Sequence, residues 1–119
     1  MDYILSSAVL LSLDAVYLST TKNFYGNLVG KIQKSKMQTN MFAVVACYIV
    51  LLFGFYSLII HKRRTPLEAA ILGFTIYGVF ELTNYAIFKN WSIFAVILDT
   101  LWGTLLFYLT TIITYFFIK

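Results

Sequence analysis

With 119 residues, 61% of them hydrophobic and only 12% charged, the chain lacks the polar surface of a soluble domain of this size. Its four long apolar runs approach or exceed the roughly 20 residues that cross a bilayer's hydrocarbon core, which leaves no room for a soluble domain. The net charge of +4 hides nine Lys and Arg facing only Asp2 and Glu68 outside those runs; spread over separate short loops, these cations suit anionic lipid headgroups and exclude nucleic acid.

The composition predicts an all-α membrane protein: a four-transmembrane-helix bundle of up-down topology. It forms a single domain over 1–119, with helices at about 3–21, 41–60, 67–88 and 93–118. The first run is not a cleaved secretory signal. It opens on Asp2 rather than Lys or Arg, carries Asp14 in its middle and is followed by no small-residue cleavage pattern.

The stretch 22–40 mixes aromatics, glycines and cations. It reads as an interfacial segment between helices one and two at headgroup level, with Phe24, Tyr25, Leu28 and Ile32 dipping inward; a partner-binding loop is the alternative. Gln38, Thr39 and Asn40 offer N-cap side chains to the second helix. Cys47, the single cysteine, reports no disulfide or metal cluster and reads as a buried structural thiol. Tyr48, Gly54, Tyr56 and Ser57 complete a wall of the bundle.

The third helix has the clearest start. Thr65 is the N-cap, Pro66 takes the first helical position and Glu68 closes a capping box, so Glu68 is a terminus device. Asn90 can end this helix and Ser92 begin the next. A loop this short makes helices three and four antiparallel neighbours. His61 reads as a solvated end residue and Trp91 as an aromatic-belt residue. Lys62, Arg63, Arg64 and Lys119 fall on one face, and Lys22, Lys31, Lys34, Lys36 and Lys89 on the other. That near tie leaves the orientation open.

Three acids, Asp14, Glu81 and Asp99, lie inside separate apolar runs that hold no Lys or Arg. Ionisable groups in hydrocarbon are costly and mark functional sites by default. Asp14 and Glu81 each precede a predicted helix end by about seven residues, and Asp99 follows a helix start by the same distance. At 1.5 Å per residue this predicts one layer roughly 10 Å below one membrane face. Helical neighbours supply a polar shell: Tyr17 for Asp14, Tyr77 and Asn84 for Glu81, and Trp102 for Asp99, with Thr110 and Thr114 further along. Gly73 and Gly103 leave room for close helix approach. Three such carboxylates cannot all be ionised in a low-dielectric layer. The protein must protonate some of them, bind a cation between them or admit water.

These residues carry a resemblance. The stretches Leu13-Asp14-Ala15-Val16-Tyr17-Leu18, Lys22-Asn23-Phe24-Tyr25, Glu81-Leu82-Thr83-Asn84 and Leu98-Asp99-Thr100-Leu101-Trp102-Gly103-Thr104 resemble the predicted membrane protein family catalogued as domain of unknown function 2177. The order and spacing match over essentially the whole chain. The family commonly has Asp where this chain has Glu81, which keeps the carboxyl and lengthens its reach by one methylene. The resemblance implies four membrane helices and no established activity.

Three functions compete. The first is a proton- or cation-coupled transporter or channel with Asp14, Glu81 and Asp99 as its proton- or cation-binding site. Its expected partners are the lipid bilayer, the proton or cation itself and a second copy of the chain in a homodimer. The second is a structural or assembly membrane protein whose protonated acids are helix–helix hydrogen-bonding groups. The third is a lipid-modifying enzyme with the acids around a divalent cation; the absence of an intramembrane His, a nucleophile–base pair and a phosphate cradle weighs against it. No catalytic residue and no cofactor is assigned, and whether a metal binds is left open.

Overall fold

The computed structural model describes residues 2–33 and 40–118. They form α1 (Asp2–Gln33), α2 (Met41–Phe55, continued by a wider turn at Tyr56–Ile60), α3 (Pro66–Ile87) and α4 (Ile93–Ile118). All four are long and apolar enough to cross a membrane, so the chain is a multi-pass, all-α integral membrane protein. Leu, Ile, Val and Phe side chains are exposed along every helix, as expected where lipid rather than water is the solvent.

The termini form as their side chains dictate. The Asn40 carboxamide accepts from the Ala43 N–H at 3.2 Å. Thr65 and Glu68 close a reciprocal capping box behind Pro66. The Ser92 hydroxyl accepts from the Ala95 N–H at 3.2 Å and opens α4. Gln38 and Thr39, the other proposed caps, lie outside the described residues, as do Lys34 and Lys36.

Helix α1 does not stop near Thr21. It runs unbroken to Gln33, so the first part of the expected interfacial segment is a continuation of the spanning helix. No proline interrupts 22–33, and Gly26 and Gly30 each cost a helix only about 1 kcal/mol. Packing offsets that cost. Phe24 meets Phe94 edge-to-face at 5.6 Å, Tyr25 bonds Tyr17, and Leu28 is buried. These side chains therefore pack against α4 and α1 itself. At 1.5 Å per residue α1 is about 48 Å long, the same as the 49 Å long axis of the molecule.

Helix α2 ends in a π-turn, with the His61 N–H donating to the Tyr56 carbonyl at 2.8 Å. The wider turn lets Phe55, Ile59 and Ile60 all bury. Arg63 then takes a left-handed conformation (φ 53°). With the Arg64 and Arg63 N–H groups on the Ile59 and Ile60 carbonyls, it closes a Schellman-type turn that normally uses glycine. Arg63 also reaches Asp2 at 3.5 Å and lies over the Tyr115 ring, so α1, the α2–α3 turn and α4 are joined at this face.

The tightest pair is α3 with α4, crossing at Gly73 and Gly103. The Tyr77 ring lies against Gly103, and Phe107 packs beside Gly73. An apolar core of Leu10, Phe55, Ile59, Ile60, Ala69, Leu106 and Phe107 fills the half of the bundle nearer the His61–Thr65 turn. The other half of α2 stands away from its neighbours, with Met41, Phe42, Val45, Ile49, Val50 and Phe53 all exposed. A Cβ added at Gly54 would meet nothing within 4 Å. Gly54→Ala is therefore expected to leave thermal stability in detergent unchanged or raise it by up to about 1 kcal/mol through helix propensity; a clear loss would mean α2 is packed there.

Candidate carboxyl site

Asp14, Glu81 and Asp99 are all buried, at 5%, 1% and 9% exposure. Each accepts a hydrogen bond from an aromatic donor on another segment. Both oxygens of Asp14 are engaged, Oδ1 by the Trp102 indole N–H at 2.9 Å and Oδ2 by the Tyr48 hydroxyl. Asp99 Oδ1 accepts from the Tyr17 hydroxyl at 3.0 Å, which in turn meets the Tyr25 hydroxyl at 2.7 Å. Glu81 Oε1 accepts from the Trp91 indole N–H at 2.8 Å. Tyr17 and Trp102 stack almost parallel, centroids 4.8 Å apart at 5°, and so join the Asp99 and Asp14 bonds into one rigid unit.

The short α3–α4 loop brings Glu81 of α3 close to Asp99 of α4. Asp14 and Asp99 line one cleft, and Trp102, the partner of Asp14 on α4, lies three residues beyond Asp99. The helix end near Thr21, from which the sequence reckons the depth of Asp14, does not exist, since α1 runs on to Gln33. Among the described residues no three Asp, Glu, His or Cys side chains are placed to hold a metal ion, so the trio does not form the divalent centre that the enzyme reading required.

The polar residues near the acids have other partners than helical spacing suggests. Tyr17 serves Asp99 rather than Asp14, and Trp102 serves Asp14 rather than Asp99. Both cross between α1 and α4 instead of bonding along their own helix. Tyr77 packs on Gly103 and lines the space beside the acids without a hydrogen bond to them. Asn84 is half-buried and bonds none of the three. The sequence suggests interface, wall and belt positions for Tyr25, Tyr48 and Trp91. Each instead donates to an acid or to a donor that does; nothing in helical spacing links them to an acid on another helix.

Asp14 and Asp99 open onto a cleft of about 560 Å³ between α1 and the free half of α2. It extends from Asn40 at the end of α2 down to Leu51 and Tyr77. Cys47, expected to be a buried thiol, is exposed and lines this cleft, because α2 stands off here. Toward the opposite face the site is closed by Leu10, Phe55, Leu106 and Phe107, none more than 1% exposed. Beyond this plug the Thr110 and Thr114 hydroxyls are buried without a partner.

The family model described as predicted membrane protein (DUF2177) matches residues 1–116. The chain belongs to the DUF2177 family. The match includes all four helices and all three acids of this DUF2177 protein, in keeping with the resemblance seen in the motifs around Asp14, Glu81 and Asp99. No curated protein and no solved structure matches the chain.

Proposed function

We propose that this DUF2177 protein is a small proton-coupled carrier in which Asp14, Glu81 and Asp99 hold and pass the coupling proton. The Glu81–Asp99 pair carries the reading: two buried carboxyls on neighbouring helices, with no Lys or Arg bonded to either among the described residues. Such a pair is costly to bury and gains function from exchanging a proton. The hydroxyl chain Asp99–Tyr17–Tyr25 supplies a route toward the face where α3 and α4 connect. The apolar plug on the other side favours a carrier that opens to one face at a time over a continuous pore.

The alternative is a structural role, and one observation favours it: every acid already has an aromatic donor from another segment, as interhelical staples would. Proton uptake into proteoliposomes, driven by an imposed pH gradient, separates the two. The wild type is expected to move protons, and the combined Asp14→Asn, Glu81→Gln, Asp99→Asn variant to stop while keeping its helical circular dichroism and elution volume. Equal uptake by variant and wild type, or none by either, overturns the carrier reading.

A further inference from the structure

We propose that the cleft between α1 and α2 is a binding site for a hydrophobic organic cation, a bulky amine or phosphonium-like ligand with one positive charge. The inference rests on reading the carboxyls as a charge-exchange site, and it names what exchanges with the proton. About 560 Å³ falls within the roughly 300–1,000 Å³ of ligand pockets. The lining combines three chemistries. Leu18, Val44 and Leu51 give apolar wall, Tyr17, Tyr48 and Tyr77 present aromatic rings, and Asp14 and Asp99 supply negative charge with no Lys or Arg among the lining residues.

Competing ligand classes fit this lining poorly. An anion would meet two carboxyls and no cation. A neutral acyl chain would bury those carboxyls against hydrocarbon without compensation. A small metal ion needs several converging oxygens, and no three metal-binding side chains converge among the described residues. A bulky organic cation uses everything present: apolar contact, ring faces that attract cations within about 6 Å, and a carboxylate for its charge.

The cleft also has a way to admit a ligand. Within Met41–Phe55, Tyr48 to Asp14 is the one side-chain hydrogen bond from α2 to another helix among the described residues. A second space of about 590 Å³, lined by Ala46, Cys47, Val50, Leu51, Gly54 and Ile76 and meeting the cleft at Cys47 and Leu51, leaves this half of the helix room to move about its packed π-turn end. A cation taking over Asp14 breaks the Tyr48 latch, so binding and opening are the same event.

The test uses the full chain in nanodiscs and tetraphenylphosphonium as probe. We expect saturable binding by equilibrium dialysis, and protection of Cys47, which lines the cleft, from maleimide labelling by the probe. Neutral triphenylphosphine oxide should give neither effect. Asp14→Asn should weaken binding by about tenfold or more, whereas Tyr48→Phe, which keeps the ring and removes the latch, should bind at least as tightly as wild type. If the neutral analogue binds equally, or if Asp14→Asn leaves probe binding unchanged, the site is an apolar lipid groove and the inference falls. Cys47 left unprotected at saturating probe also overturns it, since binding is then elsewhere. Proton uptake without probe binding would leave the carrier reading standing and remove this inference; probe binding without proton uptake would do the reverse.

Discussion

Gly73→Ala is expected to destabilise the folded bundle by about 1–3 kcal/mol, the usual cost of overpacking a close contact. The added methyl would collide with the Gly103 carbonyl oxygen and lie 3.0 Å from Phe107 Cγ. A carbonyl inside a helix cannot rotate aside, so α3 and α4 must separate. Membrane helices associate largely through such close packing, since lipid is as apolar as the side chains it replaces. Gly103→Ala is expected to act in the same direction. Its methyl would strike Tyr77 at Cβ and Cγ, the base of the side chain, so a simple ring rotation brings no relief. Thermal unfolding in detergent, followed by circular dichroism with Gly54→Ala alongside, checks this: the α3–α4 pair should lose stability and the α2 variant should not. Equal behaviour of all three would mean the crossing is looser than described.

Asp99→Asn is expected to lower proton uptake by about a hundredfold or more, within the range for losing a positioned proton-transfer group. Asn keeps an acceptor for the Tyr17 hydroxyl, so packing survives, but it cannot take up or release a proton. Tyr17→Phe should give a large but smaller loss. It breaks the Asp99–Tyr17–Tyr25 chain while leaving Asp99 open to the cleft, through which water provides a slower route. The stack on Trp102 needs only the ring, so Tyr17→Phe should leave stability nearly unchanged. Asp99→Glu, which restores the carboxyl, should recover part of the uptake. A structural staple predicts another pattern: Tyr17→Phe and Asp99→Asn would then change stability by similar small amounts, and uptake would not follow the carboxyl.

Much of the architecture was legible because the signals behind it are local. Thr65-Pro66-Leu67-Glu68 starts a helix wherever it occurs, and Asn90 to Ser92 can only turn tightly, so α3 and α4 pair as expected. The acids too were visible, since charge within an apolar run stands out in one dimension. The end of α1 was not. Thr20, Thr21 and Lys22 look like a boundary, and what carries the helix onward is Phe24 on Phe94 and Tyr25 on Tyr17, contacts made 70 and 8 residues away along the chain. The exposure of Cys47 was hidden for a related reason: an apolar helix facing lipid and one facing protein have the same composition.

By itself the sequence determined a four-helix membrane protein with three carboxyls that have no cation to pair with, because hydropathy, capping and charge are properties of short segments. Only the tertiary structure decided which acids meet and which donors hold them. The register of α1 against α4 exchanged the roles of Tyr17 and Trp102; the short α3–α4 loop brought Glu81 to Asp99; and the stand-off of α2 opened the cleft. Each depends on how far one helix slides or leans against another. That is decided by side chains packing across the bundle, and no periodicity within a single helix records it.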